Sequence, residues 1–202
     1  MATEISICNL ALAHLGDEAT VASIDPPEGS AQAEHCATFY PVARDALQEM
    51  HAWGFCTTRK ALSMLSAEPL TGWQYAYARP SIAVRILGVY AAGVTDDNDP
   101  QPFETEVLAD GSEVIYTNTQ DAVCRYTVQV TDPSKFSPLF VETLAWLLAS
   151  HLAGPVLKGK NGMAMAQSCL ATAGTYLADA KRSDVRQRRA RPTHNVPWIS
   201  GR

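Results

Sequence analysis

The chain has 202 residues, 47% of them hydrophobic, and a formal net charge of −5 at pH 7. A chain of this length can bury enough surface to fold as one compact domain, or as two small ones sharing a core. Its five cysteines are scattered with no C-x-x-C pair, which argues against a disulfide framework or a zinc site. The N-terminus lacks the basic start of a signal peptide, and no apolar run approaches the roughly 20 residues of a membrane span. We therefore expect reduced, buried thiols in a protein made in the cytosol.

The charge is distributed unevenly along the chain. From Lys181 to the end there are seven basic residues and one acid, so this segment carries +6 and the remainder −11. Between Ile86 and Val123 there is no lysine or arginine. The acids in that interval are Asp96, Asp97, Asp99, Glu104, Glu106, Asp110, Glu113 and Asp121. Such asymmetry suggests function more strongly than the net charge does.

The first quarter of the chain is predicted to be helical. An amphipathic pattern over residues 4–15 follows Thr3, a good N-cap residue, and stops at Gly16. Ser30 is predicted to begin a second helix that runs to about Met50. Pro41 falls inside this helix and should kink it, or else divide it into two shorter helices.

From Trp53 the pattern changes to that of β-strands. The predicted strand segments are residues 55–65, 73–77, 83–90, 103–108, 113–117 and 122–130. Asp110-Gly111 is a strong hairpin signal, and the last three segments are predicted to form an antiparallel meander. In the final segment Cys124, Tyr126, Val128 and Val130 alternate with more polar residues and are the expected buried face.

Two further helices are predicted after Val130. Ser137 and Pro138 are suited to the N-cap and first helical positions, and apolar residues then recur at helical spacing through Leu152. Gly154-Pro155 is expected to end this helix, and an antiparallel partner is expected from about Gly162 to Asp184. The predicted fold class is α+β, a four-helix bundle core with an inserted antiparallel β lobe and an extended C-terminal arm. The predicted divisions are helices over 1–52 and 131–184, the β lobe over 53–130, and the arm over 185–202.

No catalytic or metal-binding pattern is found. The five histidines are isolated, and His35 and Cys36 are neighbours whose side chains diverge by about 100° on a helix. Gly159-Lys160-Asn161-Gly162 lacks the upstream glycine and the Ser/Thr of a phosphate loop. The acidic interval could hold a divalent cation, but it has no EF-hand spacing, so a solvated acidic face is favoured. We expect no enzymatic activity, no cofactor and no metal.

The basic C-terminal segment has three interpretations. It could be an arm that docks on a protein partner, a nucleic-acid ligand or an inert solubilising tail. An acidic body would repel phosphates, and an inert tail has no need of large apolar residues, so docking is favoured. The candidate docking residues are Arg182, Arg186, Arg188, Arg189, Arg191, Trp198 and Ile199.

In their order and spacing, several segments resemble the head-to-tail adaptors of short-tailed phages, also called tail tubular protein A or head–tail connector proteins. The segments are residues 7–16, 22–25, 36–45, 53–55, 73–80, 126–132 and 140–146, with Trp198 near the end. Each motif alone is unspecific. Together they span nearly the whole chain.

The resemblance implies a non-enzymatic structural protein of the virion, placed at the head–tail junction and made in the host cytoplasm. Such adaptors form a twelve-fold ring beneath the portal, continue the DNA ejection channel and present a platform for the tail nozzle. The matching arm here is 182–202, with Trp198 as its anchor on the portal. The implied channel-lining or nozzle-facing acidic surface is Asp96, Asp97, Asp99, Glu104, Glu106, Asp110 and Glu113. Genomic DNA would pass without specific binding, and no membrane contact is implied. The alternative is a nucleic-acid-binding module that acts through the basic tail.

Overall fold

The computed structural model describes residues 2–18, 20–66, 69, 72–94, 97 and 99–187. Within these residues the chain is of mixed α+β class, with four α-helices and two small antiparallel sheets, as the sequence predicts at that level. The helices are α1 (Glu4–His14), α2 (Ala31–Glu49), α3 (Pro138–Leu157) and α4 (Gly159–Arg186). The strands are β1 (Thr57–Ala61), β2 (Tyr75–Ala78), β3 (Ala83–Tyr90), β4 (Phe103–Val107), β5 (Glu113–Thr117) and β6 (Val123–Val128).

The first three helices begin where the capping residues predict. Thr3 accepts a hydrogen bond from the Ser6 N–H at 3.1 Å, and the Ser6 hydroxyl accepts one from the Thr3 N–H. Ser30 caps α2, and Ser137 caps α3 with Pro138 as its first residue. Each cap satisfies an N–H group that has no partner within the first turn of its helix.

The junction between α3 and α4 differs from the prediction. The helix does not end at Gly154-Pro155 but continues to Leu157, and the chain turns at Lys158 and Gly159, which both have positive φ angles. A proline so close to the end removes one hydrogen bond, whereas positive φ is incompatible with a right-handed helix. The new helix then passes so close to α3 that a Cβ on Gly162 would lie 2.8 Å from the Ala153 carbonyl oxygen.

Helices α3 and α4 run antiparallel, as predicted. They are adjacent in sequence at Lys158, and their far ends meet again near Trp53 and Gly54. The Phe140 ring, in the first turn of α3, lies 5.0 Å from the Trp53 ring, and Asp184, in the last turn of α4, accepts a hydrogen bond from the Gly54 N–H.

Helix α3 is central to the main hydrophobic core, to which all four helices contribute side chains. It packs against both α1 and α2. Phe140, Leu144, Leu148 and Leu152 are completely buried. Among the described helices, α3 alone is long and apolar enough to cross a membrane, contrary to our expectation, but half of its most apolar window is buried and a core helix meets the same criteria.

The strands form two three-stranded sheets, in the orders β1-β6-β3 and β2-β5-β4. The Asp110-Gly111 hairpin joins β4 to β5 as predicted, with Phe103 opposite Thr117. The predicted meander is wrong at its last step, because β6 does not pair with β5 but enters the other sheet. The chain turns there at Asp121, which has a φ of 53°. Within and after β6, Cys124, Tyr126 and Val130 are buried as expected, and Val128 is half-buried.

The chain divides into two compact units. The first comprises 1–57 and 127–185 and contains the four helices, and the second is built mainly from 58–126 and contains most of both sheets. Two buried or nearly buried polar side chains hold the first unit together where the chain leaves it and returns. Gln48, in α2, donates to the Val130 carbonyl at 2.7 Å and accepts from the Val130 N–H at 3.0 Å. Asp184 makes the matching contact to Gly54.

Candidate interaction surfaces

The hairpin β4–β5 carries the largest exposed group of the predicted acidic residues. Strand β4 is at the edge of its sheet, and all of its residues from Glu104 to Val107 are exposed. In the turn, the Asp110 carboxylate accepts hydrogen bonds from the N–H and hydroxyl of Ser112, at 2.9 and 2.6 Å. These hydrogen bonds lower the pKa of Asp110, so this carboxylate is held in its charged form.

The acidic surface is less continuous than the sequence suggests, because arginines from outside the interval 86–123 pair with it. Asp97 pairs with Arg125 at 2.8 Å and also with Arg59, and Glu113 pairs with Arg79. The Glu104 carboxylate accepts a hydrogen bond from the Trp73 indole at 3.0 Å.

Four predicted residues keep the strongest acidic character. Among the described residues, no lysine or arginine forms an ion pair with Asp99, Glu104, Glu106 or Asp110, and all four are exposed. Asp96 lies outside the described residues. The predicted acidic surface is therefore limited to the β4–β5 hairpin and to Asp99, which precedes β4.

The start of the predicted C-terminal arm requires a correction. Arg182 and Arg186 are not extended but belong to α4, and Arg182 pairs with Asp179 one turn earlier at 3.0 Å. This exposed pair and the buried Asp184 favour continuation of the helix past the predicted end. The other candidate docking residues, Arg188, Arg189, Arg191, Trp198 and Ile199, lie outside the described residues, and the predictions for them stand untested.

The last turn of α4 is fixed by Asp184, which the sequence did not single out. Its carboxylate accepts from the Gly54 N–H at 2.8 Å and lies 3.1 Å from Nε2 of His51. A carboxylate that accepts a backbone N–H in a nearly buried site stabilises both segments that it joins. The basic segment that follows therefore begins from a fixed point.

Two of the histidines stack on aromatic rings, and the cysteines are buried. The His14 ring stacks on Trp146 with centroids 3.7 Å apart, and the His151 ring stacks on Phe39 at 5.9 Å. Burial lowers the pKa of both histidines. All five cysteines are buried, and burial raises the pKa of Cys56 to about 12. Within the described residues no three His, Cys, Asp or Glu side chains lie close enough together to hold a metal ion.

Two surface grooves are found within the separate units. One, of about 420 Å³, lies in the β unit between β3 and β4 and is lined by Arg79, Arg85, Glu106 and Val107 among others. The second, of about 480 Å³, lies in the helical unit beside the start of α1. Both grooves combine charged, polar and apolar side chains, a lining that suits contact with another molecule.

No family model matches the chain, and no curated protein matches it significantly.

Proposed function

We propose that this chain is a head-to-tail adaptor, a non-enzymatic structural protein of a phage virion. Copies of it form a twelve-fold ring that joins the portal to the tail nozzle and continues the DNA channel. The proposal includes the finer architecture, in which a four-helix bundle carries an inserted β lobe and an extended C-terminal arm.

One structural observation carries the docking role, namely the attachment of the last turn of α4 through Asp184. The basic segment follows that turn within four residues and contains Arg188, Arg189 and Arg191 without any acid. A charged segment with a tryptophan near its end, leaving from a fixed helix, suits capture of an acidic protein surface with an aromatic anchor.

The β lobe supports the channel or nozzle role by its charge. The exposed carboxylates Asp99, Glu106 and Asp110 would repel DNA phosphates, so a lining of this kind lets a genome pass without holding it. The same residues, if they faced the nozzle, would favour a basic partner.

The test is assembly on a candidate portal ring, measured by native mass spectrometry or light scattering. Deletion of 188–202 removes the segment without touching α4, so we expect an intact fold that no longer joins the portal. Trp198→Ala and Arg188→Ala should weaken attachment. Lys160→Ala, which removes one exposed positive charge at the other end of α4, is the matched control and should attach normally.

Two results would contradict this role. A truncated chain that assembles on the portal as well as the full chain would remove the docking function of the arm. A full chain that ignores the portal but binds DNA with a steep salt dependence, lost on truncation, would instead establish the nucleic-acid-binding module.

A further inference from the structure

The two sheets leave two strand edges open among the described residues. The outer side of β2 is covered, since Leu65 donates to the Ala76 carbonyl and Ala78 donates to the Ser63 carbonyl. Strand β3 is bridged by Gln101, whose N–H donates to the Val89 carbonyl at 2.7 Å. No described segment pairs with the outer edge of β4, or with that of β1 over residues 58–61. Open edges are templates for pairing with another chain.

The open edge of β4 presents its backbone in a defined register. The Leu108 N–H donates to the Ser112 carbonyl, so the residues of β4 that bond to β5 are those at even positions, Glu104 and Glu106. The N–H and C=O groups of Thr105 and Val107 consequently point away from β5, toward the open side. The Val107 side chain is also 63% exposed.

The two open edges carry opposite charges. Strand β4 contains Glu104 and Glu106 and no basic residue, whereas β1 contains Arg59 and Lys60 and no acid. Arg59 is engaged by Asp97 and lies over the Tyr90 ring at 5.0 Å, so the exposed Lys60 contributes most of the free charge on β1.

Charged residues on edge strands commonly prevent aggregation. Here each open edge carries charge of one sign. Pairing of β4 with β4, or of β1 with β1, would place like charges opposite each other, which is destabilising. Only the pairing of β1 with β4 brings opposite charges together.

We propose that β1 of one copy of this chain pairs with β4 of the next copy, and that this is the contact between neighbouring subunits. Such an interface is heterologous, since each copy contributes a different surface to its two neighbours. A heterologous contact that closes on itself produces a ring, as an isologous one cannot. The inference rests on the proposed ring function and identifies the strands that form its subunit interface.

The experiment reverses the charge on each edge and then on both. Glu106→Lys and Lys60→Glu change exposed residues, so the fold should be retained, as checked by circular dichroism. Assembly is measured by native mass spectrometry over a range of concentrations, for the chain alone and on a candidate portal ring. Each single reversal should weaken association by roughly 10-fold per contact, and the double variant Glu106→Lys/Lys60→Glu should recover it.

Two further variants test specificity. Lys160→Glu makes the same charge change on α4 and should assemble as the unmodified chain does. Thr105→Pro removes an N–H on the open side of β4 and should impair assembly, while Thr105→Val, which keeps that N–H, should not.

The outcomes separate this inference from the function on which it rests. An unmodified chain that assembles, with single reversals that assemble equally well, would overturn the strand-edge contact and leave the ring intact. Loss in the single variants without recovery in the double variant would also overturn it. An unmodified chain that never assembles, alone or on the portal, would overturn the ring proposal and this contact together.

Discussion

The side chain of Gln48 offers the sharpest test of how the helical unit is held together. It is 7% exposed and forms two hydrogen bonds with the backbone of Val130, 82 residues later. Gln48→Met keeps the length and shape of the side chain but leaves a buried N–H and a buried C=O without partners. Each such group costs about 1–3 kcal/mol, so we expect a loss of roughly 2–6 kcal/mol in the free energy of unfolding.

A loss of that size is a large share of the roughly 5–15 kcal/mol that stabilises a typical domain. It would be measured by urea denaturation followed by circular dichroism, at constant pH and salt. Gln32→Met is the matched control, because Gln32 forms a single hydrogen bond of 3.3 Å with Asp17. We expect it to change stability by less than about 1 kcal/mol. Equal losses in the two variants would show that Gln48 does not support Val130 as described.

Two further predictions concern Asp184 and two histidines. Asp184→Ala should destabilise the chain by about 2 kcal/mol and speed hydrogen exchange in the last turn of α4, because Gly54 loses a charged acceptor. Asp179→Ala, which breaks an exposed pair, should cost under about 1 kcal/mol. If both aspartates behaved alike, the role of Asp184 would be refuted. Because burial lowers the pKa of His14 and His151, their neutral forms favour the folded state. Stability should therefore be fully present above about pH 6.5 and fall as the pH drops below it. His14→Gln/His151→Gln should flatten that dependence in urea titrations between pH 5 and 8, and an unchanged slope would contradict the assignment.

Local signals predicted the elements of this fold well. The caps at Thr3, Ser30 and Ser137 bond to a backbone N–H three residues later, and the Asp110-Gly111 turn joins two strands that are adjacent in sequence. Both signals are local, so both can be recognised in the sequence. The position of the α3–α4 turn could not be predicted as reliably. Gly154-Pro155 is the stronger break by composition, and the chain instead uses Lys158 in a positive-φ conformation that few residues other than glycine favour.

Contacts between distant segments were not predictable from the same signals. The acidic interval appeared unneutralised because its arginine partners lie outside it, with Arg59 38 residues before Asp97 and Arg79 34 before Glu113. Similarly, a turn at Asp121 was compatible with a meander, but β6 enters the other sheet, where Cys124 and Tyr126 are buried. Sequence spacing cannot show which strands meet when the pairing depends on burial.

Gln48 and Asp184 have a common physical purpose. Gly54 and Val130 lie at the points where the chain leaves the helical unit and returns to it, so their backbone groups have neither a helix nor a sheet ladder to satisfy them. Buried backbone groups need partners, and a side chain from a neighbouring helix supplies them in both places. Asp184 also lies two residues before the end of α4. If the following segment binds a portal as we propose, tension on it acts first on that last turn, and through Asp184 on Gly54 and the core around Trp53. A docking arm attached in this way would transmit force to the helical unit. An arm that followed a frayed helix end would extend under the same tension without loading the helical unit.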